Sequence, residues 1–394
     1  MRIALISDVF PPFRSSGAVL VRDLSQEFVR QGHEVTVLIP SPELTEDWLV
    51  EIWNGVRVVR LKSPKIKNIG HVRRTIGEFL MPLAVLRNLR KSPVVKYRYD
   101  GVVCYAPSIF LGPIFNAIKQ ASSCKSYLIM RDIFPEWAVD MGLMSRGFPY
   151  RIFKLVESYL YSVADVIGFQ TFANLAYFAQ QPKQPHTRAE VLQNWLADAP
   201  FAGCSISVQS SPLADRKIFV YAGNMGIAQG MGLLLELAEV MRDEKKVGFL
   251  FVGRGSDALQ LQTRVKALGL DNVAFYDEIE PFEIPGLYTQ CHAGIVALDP
   301  RHKTHNIPGK FLSYMQAGLP VLAAINPGND LEKLINEERV GMVCSDASVD
   351  TLKNLAFTVI EQLVFDPDVH RRCKALSRKL FSPESAVKQI VAAL

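Results

Sequence analysis

The densest chemistry in the chain lies in Leu298-Asp299-Pro300-Arg301-His302-Lys303-Thr304-His305-Asn306-Ile307-Pro308-Gly309-Lys310. Arg301, His302, Lys303 and His305 fall within five positions, and a helical pattern opens at Lys310. Cations at a helix N-terminus suit a bound diphosphate, whose charge must be held on binding and stabilised on departure. His302 and His305, with Cys291-His292 upstream, make a poor zinc set, because no paired thiolates or fixed ligand spacing accompany them. No metal is expected.

Two glycine turns add to this. Ile218-Phe219-Val220-Tyr221-Ala222-Gly223-Asn224-Met225-Gly226, continued by Ile227-Ala228-Gln229-Gly230, reads as a strand, a turn and a helix start, where backbone N–H groups hold phosphate. Phe251-Val252-Gly253-Arg254-Gly255 repeats the pattern and offers Arg254 to a pyrophosphate. Taken singly, each also fits an ordinary tight turn of an α/β domain. The loop Pro11-Pro12-Phe13-Arg14-Ser15-Ser16-Gly17 is roughly eight residues where such connections usually take two to six, which favours ligand contact near Gly17.

A third constellation is Arg131-Asp132-Ile133-Phe134-Pro135-Glu136, expected where a strand ends. Two carboxylates four positions apart around a proline can do acid/base or hydroxyl-orienting work. They fit equally well a solvated Arg-Asp pair followed by a helix N-terminal glutamate. Asp366-Pro367-Asp368 reads as a turn.

The elements that must position these residues alternate between short β-branched runs and segments of helical period, the mark of an α/β chain. Strands are expected at about 2–7, 34–39, 56–61, 101–105, 126–131, 165–169 and 189–192, then 217–222, 247–252, 272–276, 293–298, 319–324 and 341–344. A helix over 18–31 ends at Gly32, and others fill the gaps. At 394 residues the chain is too long for one core. Two doubly wound domains are expected, over 1–195 and 216–381, joined by an Ala-, Ser-, Pro- and Gly-rich linker at 196–215. The helix 382–394 is expected to pack back on the first domain. Ligands belong at the C-terminal ends of the strands, in the cleft two such domains would share.

Composition excludes other classes. With 49% apolar and 21% charged residues the chain is neither disordered nor a disulfide scaffold. Mean hydropathy is +0.12, yet every apolar stretch is broken before about 18 residues, so no membrane-spanning helix is expected. Met1-Arg2-Ile3-Ala4-Leu5-Ile6 reads as a strand rather than a signal peptide, which points to the cytoplasm. The six scattered cysteines read as reduced core residues.

Tyr221–Gly230, Phe251–Gly255, the Pro-Pro loop, and Pro308-Gly309-Lys310 through Tyr314-Met315-Gln316-Ala317-Gly318-Leu319-Pro320 resemble a family 4 retaining glycosyltransferase of GT-B architecture. Within that family the chain is most similar to the WbuB-type L-fucosamine transferases of O-antigen assembly. The resemblance implies two Rossmann-like domains, a UDP-sugar donor, UDP-N-acetyl-L-fucosamine first among them, and an undecaprenyl-diphosphate-linked saccharide acceptor. It implies transfer with retained configuration and no metal or other cofactor. Donor contacts would come from Gly17, Gly223, Asn224, Gly226, Gln229, Gly253, Arg254, Arg301, Lys303, Pro308, Lys310 and Ser313, and catalytic roles from Asp132, His305 and Arg131. Asp132 matches the acid of an Asp-x-x-Pro motif in related transferases. Most members carry an arginine and a lysine where this chain has Asn224 and Gln229, and two glutamates where it has His305 and Ser313.

Between Arg57 and Arg98 twelve basic residues face one acid, Glu78. With Phe79-Leu80-Met81-Pro82-Leu83 among them, the block suits the inner face of an anionic membrane, where a lipid-linked acceptor would reside. The simpler reading is a solvated helix face with core residues behind it. No aromatic stacking motif accompanies it, so nucleic acid is not an expected partner. Two other activities fit the same fold: a UDP-sugar 2-epimerase, which needs no lipid, and a non-catalytic nucleotide-sugar-binding subunit. A dehydrogenase is disfavoured, because no Gly-x-Gly-x-x-Gly opens either domain.

Overall fold

Runs such as Arg2–Ile6 and Gly101–Ala106 carry apolar residues at nearly every position, so they are stable only where both faces are covered. The computed structural model describes residues 1–13, 15–66, 69–131, 133–140, 142–180, 186–198, 203–226, 229–299 and 307–394. They form two units, Met1–Trp195 with Pro383–Leu394, and Leu196–Ser382.

The first unit is built on β1 (Arg2–Ile6), β2 (Glu34–Ser41), β3 (Trp48–Trp53), β4 (Val56–Lys62), β5 (Gly101–Ala106), β6 (Lys125–Met130), β7 (Val166–Phe169) and β8 (Arg188–Val191). They lie side by side in the order β3-β4-β2-β1-β5-β6-β7-β8. All pairs are parallel except β3 with β4, a hairpin closed by Asn54 and Gly55, both at positive φ. The sequence reading contains no strand at Trp48–Trp53, although Asn-Gly is its turn signal. Helices α1 (Ser16–Arg30), α2 (His71–Lys91), α3 (Gly112–Ser122), α4 (Glu136–Asp140), α5 (Phe148–Val163) and α6 (Phe172–Ala179) cover the sheet. Ser15 caps α1, its hydroxyl accepting the Ala18 N–H at 3.3 Å.

The second unit runs β9 (Lys217–Ala222), α7 (Met231–Val240), β10 (Val247–Val252), α8 (Ala258–Leu268), β11 (Val273–Tyr276), α9 (Ile284–Tyr288), β12 (Ala293–Ala297), α10 (Gly309–Ala317), β13 (Val321–Ala324), α11 (Asp330–Glu338), β14 (Gly341–Cys344), α12 (Val349–Phe365) and α13 (Val369–Leu380). Its sheet is parallel, in the order β11-β10-β9-β12-β13-β14. From β9 the chain builds outward through β10 and β11, then returns to the other side of β9 for β12. The reversal opens a crevice at the C-terminal ends of β9 and β12, where α/β sheets bind ligands.

The stretch 196–215 is not a free linker. Ile206, Val208 and Leu213 are buried in the second core, and the Leu196 N–H donates to the Phe381 carbonyl at 2.9 Å. Its small and polar residues hide three well-spaced apolar anchors. Finally α14 (Pro383–Ala393) packs on α1, and Gln389 donates to the Val191 carbonyl at 2.9 Å. A Cβ on Gly101 would lie 2.7 Å from Leu394 Cδ1, so glycine leaves room for that residue.

Candidate functional site

In the second unit the two glycine turns lock together backbone to backbone. Gly223 N–H donates to the Val252 carbonyl at 2.9 Å, and Met225 N–H to that of Arg254 at 2.8 Å. A Cβ on Gly253, at φ +140°, would lie 2.1 Å from the Gly223 oxygen. Glycine is therefore required here by turn-on-turn packing. Of the N–H groups the sequence reading offers to a phosphate, those of Gly223 and Met225 are taken by this pairing.

The Gly226 N–H meets a side chain instead. Gln229 Oε1 accepts from Gly226 N–H at 3.1 Å and from Asn224 Nδ2 at 3.0 Å. The amide oxygen thus sits where two donors converge, a neutral counterpart of an anion's oxygen. Asn224 and Gly223 are exposed, so the outer face of the turn is open.

Lys310 reaches this turn from the first turn of α10. Its Nζ lies 3.0 Å from the Tyr221 hydroxyl and 4.3 Å from the centre of the Tyr221 ring. Its stem passes over Gly223, where a Cβ would be 3.6 Å from Lys310 Cε. The Tyr221 hydroxyl in turn donates to the Asn224 carbonyl at 2.5 Å. Burial pulls the Lys310 ammonium down to about 8. Pro308 stands at the N-cap of α10 and offers no side-chain cap, so among the described residues the first N–H groups of the helix have no capping side chain at the end where the ammonium lies. Sequence reasoning singled out Lys310 but not Tyr221, which reads as one more aromatic in a buried strand.

Other residues sit differently. Arg254 is 78% exposed and pairs with Glu278 at 2.9 Å. The Ser313 hydroxyl donates to the Gly309 carbonyl at 3.3 Å, within its own helix. A cavity of about 340 Å³ lies at the ends of β12, β13 and β14, lined by Gln229, Gly230, Leu233, Ala297, Ala324 and Cys344 among others. Arg301, Lys303 and His305 lie outside the described residues, as does Asp132. Among the described residues no group of three or more His, Cys, Asp or Glu is placed to hold a metal. The His292 ring nitrogen accepts the Ile218 N–H at 3.1 Å.

In the first unit Gly17 is set by packing, since a Cβ there would lie 3.3 Å from Val9 Cγ2 and 3.4 Å from the Tyr105 hydroxyl. Arg131 is not the solvated group of the simpler sequence reading. It is 5% exposed, its Nη1 donating to the Leu192 carbonyl at 2.9 Å. Glu136 does open α4, as the simpler reading has it, but its side chain is only 12% exposed. It accepts from Tyr150 at 2.6 Å and Tyr177 at 3.0 Å, with Lys154 at 3.4 Å. Burial raises its pKa, but these donors together outweigh burial and hold the carboxyl below its ordinary range. Behind it lies Glu157, bonded to Lys154 and to Tyr161 at 2.9 Å, whose carboxyl burial pushes up.

The basic block thins on folding. Arg57 pairs with Glu34 at 2.8 Å, Arg60 with Glu51 at 2.8 Å and Lys91 with Asp47 at 2.5 Å, all acids from outside the run. Arg60 also donates to the Pro11 carbonyl at 2.6 Å, tying down the first loop. What remains is one face of α2, on which Val72, Ile76, Phe79, Leu80 and Leu83 are between 41 and 75% exposed. At helical spacing Arg87 and Arg90 continue that stripe, both exposed and, among the described residues, without an ion pair. No helix of the described residues is long and apolar enough to cross a membrane.

Residues 216–362 match the family described as glycosyl transferases group 1. The chain is 25% identical over 248 residues to a probable glycosyltransferase, WbjE, of Pseudomonas aeruginosa, a match covering 58% of this chain and 58% of that protein. It therefore spans little more than half the length of that relative. It is 20% identical over 391 residues to a putative colanic acid biosynthesis glycosyl transferase, WcaI, of Escherichia coli K12, covering 92% of this chain and 91% of that one. Among solved structures, sucrose-phosphate synthase from Thermosynechococcus elongatus superposes with a TM-score of 0.75 at 15% identity, covering 99% of this chain and 97% of that one. Anabaena HepE, solved in complex with UDP-glucose, gives 0.68 at 15% identity, covering 100% and 98%. These likenesses show the fold: two Rossmann-like α/β units of GT-B type.

Proposed function

We propose that the chain is a glycosyltransferase that moves a sugar from a UDP-sugar to an undecaprenyl-diphosphate-linked saccharide, a reading supported by the match of residues 216–362 to the group 1 glycosyl transferases. The pathway is assembly of a bacterial surface polysaccharide, and the donor is UDP-N-acetyl-L-fucosamine. The observation that carries the reading is the arrival of Lys310 over the Gly223 turn at the strand-order reversal, beside a helix N-terminus whose N-cap, Pro308, offers it no side chain. An ammonium and helix N–H groups converging on one point suit a diphosphate, and their attraction grows as UDP leaves and charge develops on it. The bond from the anomeric carbon to the diphosphate oxygen breaks, the acceptor hydroxyl oxygen bonds to that carbon with retained configuration, and the hydroxyl proton passes to the departing UDP. On the family resemblance Asp132 and His305 stand nearest the reacting sugar, and Arg301 and Lys303 join Lys310 on the phosphates.

HepE's complex with UDP-glucose supports the donor class, and WcaI, named for colanic acid biosynthesis, supports the pathway. The lipid side rests on α2, whose exposed apolar stripe leads into Arg87 and Arg90 and suits the headgroup boundary of an anionic inner leaflet.

The test incubates the purified protein, without added metal, with a panel of UDP-sugars and a synthetic lipid-diphosphate N-acetylglucosamine, and follows UDP release and product mass. A disaccharide-lipid formed from UDP-N-acetyl-L-fucosamine, and lost in Asp132→Ala, supports the reading. UDP release without acceptor-dependent product turns it toward an epimerase. UDP binding with no turnover of any donor leaves a binding subunit.

A further inference from the structure

We propose that Tyr221 is a positioning residue for donor binding: its hydroxyl and ring face hold the Lys310 ammonium over the Gly223–Gly226 turn, so that α10 supplies the charge this turn lacks. The proposal rests on the donor-site reading above. Asn224 and Gln229 bring no cation of their own to the turn, and Arg254 points into solvent against Glu278. Among the described residues, Lys310 is the cation that comes to Gly223.

The hydroxyl is what needs explaining. Around Tyr221 the buried sheet face is phenylalanine: Phe219 stacks on Phe249, and Phe251 lies between Phe275 at 5.0 Å and Tyr221 at 6.4 Å. A phenylalanine would fill the same space and leave no polar atom to satisfy. The Tyr221 hydroxyl instead links two partners, donating to the Asn224 carbonyl at 2.5 Å and accepting from Lys310 Nζ at 3.0 Å. Its ring offers the ammonium a cation–π face at 4.3 Å. One residue thereby fixes the turn and the charge in a single register, and its own place is fixed because it is fully buried in β9.

The arrangement has a titration signature. Burial brings the Lys310 ammonium down to about 8, and the Tyr221 oxygen favours the charged form by accepting from it. Among the described residues, other titratable groups on elements packed around it include Tyr314 of α10, Tyr288 of α9 and Asp299 just past β12. Burial drives the hydroxyls of Tyr221, Tyr288 and Tyr314 upward, well clear of that range.

The experiment uses the full chain, with its lysines carrying a carbon-13 label at Cε, in wild type, Tyr221→Phe and Lys310→Arg. The Lys310 resonance is titrated without donor, and UDP affinity is measured by calorimetry from pH 6.5 to 9.5. In Tyr221→Phe the Lys310 midpoint is expected to fall by about one pH unit and UDP affinity at pH 7.5 to weaken by about tenfold. In turnover the donor KM rises more than kcat falls. Lys310→Arg, charged throughout, should bind UDP without the alkaline decline. A midpoint and an affinity unmoved by Tyr221→Phe would overturn the proposal, since a role confined to the turn shifts stability alone; so would an alkaline decline that persists in Lys310→Arg. Wild-type protein that binds no UDP removes the donor site itself, and the lysine titration still reads whether Tyr221 and Lys310 are coupled.

Discussion

The guanidinium of Arg131 lies 5.0 Å over the ring of Trp195, and the Trp195 Nε1–H donates to the Leu20 carbonyl at 2.8 Å. Through this pair the end of β6 is tied to α1 and to the chain leaving β8. A cation built into a frame in this way acts first on the fold. Arg131→Met should destabilise the first unit by about 2–4 kcal/mol, because it strands the Leu192 carbonyl and the indole face together. Urea unfolding followed by tryptophan fluorescence would show it, and a variant of wild-type stability that has lost activity would instead place Arg131 at the chemistry.

Glu136 makes stability depend on acid. Its carboxyl is held below the ordinary 4.5, so the folded state binds its proton less readily than the unfolded chain does. The stabilisation is complete above about 4.5 and is lost as pH falls through the lower folded value. Glu136→Gln should therefore melt below wild type at pH 7, and the gap should narrow in thermal scans as pH falls below about 4.5. A gap that stays constant with pH would mean that the Tyr150 and Tyr177 contacts, rather than the charge, carry the effect.

Glycines in the second unit should divide sharply. Gly253→Ala drives a methyl to within 2.1 Å of the Gly223 oxygen at a φ that L residues avoid, and we expect a loss above about 3 kcal/mol together with loss of UDP binding. Gly232→Ala, in α7, meets nothing within 4 Å. It should be neutral or stabilise by up to about 1 kcal/mol. Equal melting temperatures for the two variants would contradict the turn-on-turn packing.

The exposed stripe of α2 predicts binding to vesicles. Leu80→Asp with Leu83→Asp should reduce co-sedimentation with anionic vesicles at least tenfold without moving the melting temperature, because both side chains face water in the free protein. Arg87→Glu with Arg90→Glu should weaken it by about thirtyfold, at roughly 1 kcal/mol per cation, and flatten its salt dependence. Binding to neutral vesicles that matches binding to anionic ones would leave the arginines without a role.

The frame was legible because buried parallel strands announce themselves as apolar runs. The strand expected over 217–222 is Lys217–Ala222, and the one expected over 247–252 is Val247–Val252. The hairpin strand Trp48–Trp53 was not, because an edge strand half in water has no such run. The partial neutralisation of the basic block was hidden for a related reason: Glu34, Asp47 and Glu51 precede it in the chain and meet it only once β2, β3 and β4 pair and α2 packs on them. In the candidate site single residues could be picked out by type, as Lys310 was. The Tyr221 contact could not, since it forms where strand order reverses and two distant segments become neighbours. The pairing of Arg254 with Glu278 was equally hidden, because Glu278 follows a different strand.

The position of α14 bears on synthesis. It belongs to the first unit, yet the ribosome makes it after all of Leu196–Ser382. The second unit is contiguous and can finish folding while the first still waits for the helix that covers α1 and for Leu394 beside Gly101. Of the two units, the one begun first is thus completed last, and until α14 is made the surface of α1 that it covers stays open.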